Sequence, residues 1–436
     1  MTRKTAESLI RRFAVSEALY RGTALSSNLI LISIIATEKR FGAEAVLISA
    51  FIQFLISGLL EIPTGRYADR TGWYRSVEWG LKLKVLTTLC YAGAVLCVYT
   101  IGAWWAWVLI AAESIIDSFA NAFINGAYQA AYGHWYDANL ADNGIKKTTA
   151  PPLFVSSYRY SLLLRLLFPI TGITLGTVLF EYGPKSGSGG AVYLCLLGYV
   201  LLLRLLVIGR TKSDLKPLAE RQKESLAKQT YPPLADIFKI GRNALILYAF
   251  ANLALVACGF YLYGEIYKSL SAIAPSIRFL WVGGTLIGFL MNTSGIVMSR
   301  GIVKRAEVAT PKEIKIWLPA GVGVLSFASV ALLLRYDSPR LHAFILFVYC
   351  LLSMTAANLI QRWIVSHEMP SIRSEIRATW LSAGEVLGLL IFGLLAGVSL
   401  LSGIPQAGMW TFLVSIGLVG IGLAMWPAFT RSAKFS

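Results

Sequence analysis

The sequence predicts an all-α membrane protein of twelve transmembrane helices arranged as two pseudo-symmetric six-helix bundles. Three observations carry that reading. Of 436 residues, 56% are hydrophobic and only 14% charged, whereas soluble domains carry roughly a quarter charged residues. Apolar windows of about 20 residues, the length that crosses a bilayer, recur about a dozen times. One long basic connection, 210–242, divides six of them from the other six.

The windows fall at 14–36, 43–64, 76–100, 103–127, 153–180 and 190–209, then at 243–268, 277–299, 314–335, 341–363, 377–401 and 407–429. The fourth is expected to continue past the membrane toward Tyr136. This gives an N-terminal bundle over 1–209, a cytoplasmic linker over 210–242 and a C-terminal bundle over 243–436. The linker carries Lys212, Lys216, Arg221, Lys223 and Lys228, and Pro217, Pro232 and Pro233 are expected to break it. With both termini inside, Lys and Arg in the cytoplasmic segments far outnumber those in the external ones. The reverse topology inverts that ratio, so the positive-inside rule places both termini in the cytoplasm. Trp104, Trp105 and Trp107 then open the fourth span at the external interface, where indoles anchor.

The net charge of +17 does not point to nucleic acid. Its cations sit in short groups between apolar windows, which suits topology and anionic lipid headgroups. The five cysteines, Cys90, Cys97, Cys195, Cys258 and Cys350, all lie inside apolar windows without metal-ligand spacing. They suggest small packing residues and not a disulfide frame. No cofactor and no metal site is expected. The opening TRKTAESLIRR is a basic amphipathic lead into the first span, not a cleavable signal.

Between the second and third windows lies EIPTGRYADRTGWYR, Glu61 to Arg75. It is expected to be a short cytoplasmic loop. Gly65, Asp69, Arg70 and Gly72 have the spacing G-x-x-x-D-R-x-G. The two glycines permit a tight reversal. Asp69 can accept from backbone N–H groups and oppose a positive helix N-terminus. Arg70 and Arg75 can donate to carboxylates or carbonyls of a neighbouring element. The alternative is a solvated loop whose charges only set topology.

This loop resembles the signature between helices 2 and 3 of the major facilitator superfamily of secondary transporters. Glu-Ile-Pro-Thr-Gly and the Arg377-Ala-Thr at the start of the eleventh span resemble one bacterial branch of it. One departure is Trp73 where the family usually has a basic residue, with Arg75 two positions later. The resemblance implies the cytoplasmic membrane of a bacterium, a small-molecule substrate, protons as coupling ion and a monomer in the lipid bilayer. It also implies that Arg377 and Asp69 are neighbours, that Glu61 and Glu385 lie in adjoining spans, and that helices 1, 4, 7 and 10 line a central cavity. Gly295 to Gly301, followed by Lys304 and Arg305, faintly echoes the Gly65 loop in the second half, as an internal repeat would. Small-xxx-small glycines occur at Gly172 and Gly176, Gly284 and Gly288, and Gly384, Gly388, Gly393 and Gly397. Such spacing lets backbones approach in lipid, and the resemblance places these spans where the halves slide. Packing inside one half is the alternative.

A charge in mid-membrane costs roughly 2.5 kcal/mol or more. Glu113, Asp117 and Asn121 share one face of the fourth span, and two carboxylates one turn apart repel. Arg21 and Asn28 in the first span and Arg165 in the fifth are candidates to face them. The alternative is a static buried pair with Arg21 or Arg165. Lys82, Lys84, Arg159 and Arg204 are expected to snorkel, and Glu78 with Lys82 to form a structural i, i+4 pair. The second half offers Asn252, Gly259 and Tyr263 in the seventh span and Asn358 in the tenth, with Glu265 and Glu385 as further carboxylates. His134, His342 and His367 lie near membrane edges.

The function expected is secondary active transport, with proton-coupled efflux by alternating access first. An uptake symporter or facilitator on the same fold is the alternative. Pro169 and Gly172 are separated where antiporters of the resembled family carry Gly-Pro, so direction stays open. A membrane-embedded transferase is disfavoured, since H-x-x-x-x-D, D-x-D and an extramembrane catalytic domain are missing. A phosphate loop is also missing, and nothing suggests a channel filter.

Overall fold

The computed structural model describes residues 19–20, 44–143, 189–220, 233–262, 265–266, 269, 309–368, 372, 376–402 and 407–432. The windows at 153–180 and 277–299, and that at 14–36 apart from 19–20, lie outside the described residues, as do Arg21, Asn28, Arg165, Tyr263, the Gly295–Gly301 echo and the glycines of those windows. Every regular element among the described residues is helical. The helices are α1 (Glu44–Thr71), α2 (Trp73–Thr100), α3 (Ala103–Asn143) and α4 (Gly189–Glu220). Then come α5 (Leu234–Lys239), α6 (Arg242–Val256), α7 (Leu318–Arg335), α8 (Pro339–Trp363), α9 (Arg377–Ser402) and α10 (Ala407–Ser432). Eight helices among the described residues are long and apolar enough to cross a membrane. The window at 43–64 falls on α1.

Two local readings are corrected. The stretch from Glu61 to Arg75 is not a loop. Helix α1 runs through it to Thr71 and α2 starts at Trp73, leaving Gly72 alone as the break, at φ 97°. That left-handed backbone is strained for a residue with a β-carbon, so Gly72 is what lets two helices meet at one residue. Pro217 does not break the linker, because α4 continues to Glu220. Pro233 does precede a helix, α5, as its N-terminal neighbour. Helix α3 continues to Asn143, past the expected Tyr136.

The chain divides into two compact units: Met1–Ile240 with Ile372–Val386, and Gly241–Ser371 with Leu387–Ser436. In the first, α1 and α3 are joined by small hydroxyl residues. The Ser57 hydroxyl reaches Ser118 O at 3.4 Å, the Ser118 hydroxyl lies 3.0 Å from Gln53 O, and the Thr64 hydroxyl lies 2.9 Å from Ala122 O. Without a hydrophobic driving force in lipid, such polar contacts help hold helices together. Toward the other end, Tyr91, Ala94, Val95 and Val98 of α2 pack with Ile110 of α3 and Val200 of α4.

In the second unit, α6 gives way to a wider π-type turn over Ala257–Leu262. Its Cys258 and Leu262 join Leu346, Tyr349 and Cys350 of α8 and Leu413 of α10 in one core. The later part of α9 packs on α6: a β-carbon at Gly388 would lie 2.9 Å from Ala249 O and 3.0 Å from Asn252 Cβ. Gly388 therefore serves packing inside one unit, and the expectation of a sliding surface does not hold there. The reason is geometric, since a glycine allows close approach to whichever backbone is adjacent.

Candidate functional site

The first unit buries two carboxylates and two cations between α2, α3 and α4. Glu113, Asp117, Lys84 and Arg204 are 2%, 5%, 4% and 6% exposed. Lys84 Nζ lies 2.6 Å from Asp117 Oδ1, and Asn121 Nδ2 donates to Asp117 Oδ2 at 2.9 Å. Arg204 donates to the Lys84 carbonyl and the Thr87 hydroxyl, and to the Thr88 hydroxyl at 2.6 Å. Glu113, one turn before Asp117, is bordered by Tyr91 and by the Ser114 hydroxyl at 3.5 Å.

Snorkelling is thus wrong for Lys84 and Arg204. A lone cation in an apolar helix reaches for the interface, but one with a carboxylate and hydroxyls beside it gains more by turning inward. Lys82 behaves as expected, half-exposed and paired with Glu78 at 2.9 Å. The pattern in sequence that could have found Lys84 is its spacing: Gly80, Lys84, Thr87, Thr88 and Tyr91 form the buried stripe of α2. Arg204 carries no comparable local signal. Formally, the two cations balance the two carboxylates. The arrangement can hold a proton, exchange salt-bridge partners, or stay neutral while one partner is replaced by an incoming charge.

A second cluster joins α1 to the start of α9. Asp69 Oδ1 accepts from the Ala378 N–H at 3.1 Å, and Oδ2 from the Thr379 N–H at 2.9 Å and hydroxyl at 2.5 Å. These are N–H groups of the first turn of a helix, which have no partner inside it, and the carboxylate also faces the positive end of the helix dipole. Gly65, one turn earlier, lets the backbones close: a β-carbon there would lie 2.9 Å from both Thr379 Cα and Ser382 Oγ. Its role is close approach, not the reversal expected of it. Arg377 is buried and its Nε donates to Ile372 O at 3.1 Å. Trp380 Nε1 donates to Ile240 O at 2.7 Å. Glu61 is fully buried, with Asn125 Nδ2 at 3.5 Å from Oε1. Arg70 and Arg75 are exposed, while Trp73 is buried against Tyr74.

In the second unit, Asn252 Oδ1 accepts from Gln361 Nε2. Asn358, half-buried, donates to Met354 O of its own helix at 2.8 Å. Gln361, three residues beyond Asn358 on α8, was missed. Beyond it, Lys315 pairs with Glu368 at 2.8 Å and lies over Trp363, which stacks with the exposed His367. Among the described residues no group of three or more His, Cys, Asp and Glu could hold a metal ion.

No protein-family model matches the chain, and no curated protein matches it. Solved structures do. A bacterial homologue of the iron transporter ferroportin, in its outward-facing state, is 14% identical with a TM-score of 0.68, over 98% of this chain and 99% of that one. The nucleoside transporter NupG is 13% identical with a TM-score of 0.56, over 99% of both chains. At such identity the likeness concerns the fold. The chain is an all-α, multi-pass membrane protein with the major facilitator fold.

Proposed function

We propose that this protein is a secondary active transporter that couples efflux of a small molecule to proton entry by alternating access. The observation that carries the reading is the buried quartet of Lys84, Asp117, Glu113 and Arg204. Four charged side chains inside apolar helices are costly to maintain, and a balanced set can change partners with little net cost. In the inward-open state a cationic or amphiphilic substrate nears the carboxyl groups of the quartet, and the proton that the quartet carries in that state leaves. In the outward-open state a proton returns and the substrate leaves. Within the second unit, Asn252 and Gln361 form a neutral polar pair of their own. The likeness of fold to transporters of an ion and of nucleosides supports transport and leaves the substrate open.

The same reading places the chain in the cytoplasmic membrane of a bacterium, both termini inside, acting as a monomer without enzymatic turnover. The test uses membrane vesicles of both orientations with an imposed proton gradient and a panel of labelled cationic, zwitterionic and neutral compounds. Accumulation in inside-out vesicles that are acid inside supports efflux. Accumulation only in right-side-out vesicles that are acid outside replaces efflux with uptake symport. Equilibration without accumulation in either replaces coupling with facilitated diffusion.

A further inference from the structure

Helix α2 has a second face that the quartet does not use. Gly80, Lys84, Thr87, Thr88 and Tyr91 form its buried stripe. On the opposite side, Arg75, Trp79, Lys82, Leu86, Leu89 and Leu96 follow one another by four, three, four, three and seven residues. That spacing puts all six on one line of the helix, and every one of them is exposed. Trp79, Leu86 and Leu89 are 53%, 43% and 50% exposed.

The order along this line matches the depth profile of a phospholipid leaflet. The stretch from Leu83 to Ile101 rises about 28 Å at 1.5 Å per residue, close to the thickness of a hydrocarbon core. Exposed Trp104 and Trp105 lie just past its far end, where indoles anchor. Lys82 therefore stands at the other boundary of the hydrocarbon, with Trp79 and Arg75 at headgroup depth. There the side chains are organised. Lys82 Nζ lies 2.9 Å from Glu78 Oε1 and 5.4 Å from the centre of the Trp79 ring. The indole thus holds the ammonium at its own level. Glu78 offsets one cation, and Arg75, three residues before it, brings another. Two cations and one carboxylate leave one positive charge in excess, and a guanidinium is well shaped for phosphate oxygens.

We propose that this outer face of α2 is a binding site for an anionic phospholipid. Its phosphate is taken by Arg75 and Lys82, its glycerol lies on Trp79 and its acyl chains run along Leu86 and Leu89. The bound lipid fastens the first turns of α2, immediately beyond the break at Gly72. The site rests on α2 crossing the bilayer, not on the direction or coupling of transport.

Native mass spectrometry of the full-length protein in detergent tests this. Phosphatidylglycerol, phosphatidylethanolamine and phosphatidylcholine with identical acyl chains are titrated in turn. The wild type is expected to bind phosphatidylglycerol more tightly than phosphatidylcholine by about fivefold for each unmatched cation. Arg75→Gln and Lys82→Gln should each weaken phosphatidylglycerol by about that factor and leave phosphatidylcholine unchanged. Glu78→Gln should tighten phosphatidylglycerol, and Lys239→Gln, at an exposed cation elsewhere in the unit, should alter nothing. All four side chains are partly or largely exposed, so the variants should fold. Equal affinity for the lipids, or a preference that survives both Arg75→Gln and Lys82→Gln, overturns the site and leaves ordinary interfacial anchoring. A preference for phosphatidylethanolamine that Glu78→Gln weakens overturns the anionic assignment. Competition by soluble glycerol phosphate overturns the assignment to a lipid.

Discussion

Asp69 Oδ2 takes two hydrogen bonds from one residue, Thr379, through its backbone N–H at 2.9 Å and its hydroxyl at 2.5 Å. The residues are 310 positions apart in sequence, and the carboxylate occupies the place of an N-cap for a helix to which it does not belong. A capping residue within the helix is a permanent fixture. A cap supplied from another helix holds only while the two helices are together, so it can mark one conformational state.

Asp69→Asn tests that distinction. The amide retains one acceptor but presents an NH2 to an N–H, and the charge is lost. About 1–3 kcal/mol of the contact should go with it. The variant is expected to fold and to run as a single species in detergent, with slower transport, because the equilibrium between states shifts. Wild-type transport rates in a well-expressed variant would reduce the contact to packing.

Gly65→Ala probes the same contact through volume. Its β-carbon meets backbone at Thr379, which cannot rotate away as a side-chain end could. Overpacking of this kind costs about 1–3 kcal/mol, and the melting temperature should fall. Gly198→Ala is the control. A methyl group placed on that helical glycine would have nothing within 4 Å, so alanine should leave stability unchanged or raise it by up to about 1 kcal/mol. Equal losses in both would remove the special status of Gly65.

The Lys84–Asp117 pair yields a double-mutant cycle. Lys84→Met leaves Asp117 beside Glu113 with a cation missing, and Asp117→Leu leaves Lys84 beside Arg204 with an anion missing. Each single change should cost about 3–5 kcal/mol. The double variant removes both charges and replaces them with apolar volume, so it should melt closer to the wild type than either single variant does. Additive losses would mean that the two charges are not coupled.

What the sequence made legible follows the range of each interaction. Helices came from apolar length, a property of each segment alone. That Asp69 lies beside the start of α9 was implied by the resemblance at Arg377-Ala-Thr, and its fitness to accept from backbone N–H groups is a property of the carboxylate alone. The wrong turn at Gly65 came from treating every glycine in a polar stretch as a loop residue. Only the chain opposite, Thr379 and Ser382, shows that this one is needed inside a helix. Lys84 and Arg204 were misread for a similar reason. A lysine in an apolar window has the same local sequence whether it snorkels or turns inward. Its partner Asp117 lies 33 residues away, and the hydroxyls that receive Arg204 lie 116 and 117 residues away. Which helix faces they occupy is fixed by how α2, α3 and α4 rotate against each other, and periodicity does not specify that.

The last prediction concerns coupling at the quartet. Asp117→Asn preserves the shape of the side chain, and its amide oxygen can still accept from Lys84, so the fold should survive. The charge that Lys84 neutralises is gone, however, and with it the means by which a substrate cation and a proton exclude each other. Gradient-driven accumulation in vesicles should fall to background, while downhill exchange of preloaded substrate continues. Glu113→Gln should act in the same direction less completely, since Glu113 borders Tyr91 and Ser114 and makes no comparably short salt bridge among the described contacts. If Asp117→Asn still concentrates substrate with the pH dependence of the wild type, the quartet is a structural clamp. Proton coupling would then have to use another buried carboxyl, and Glu265 and Glu385 would be the next to substitute.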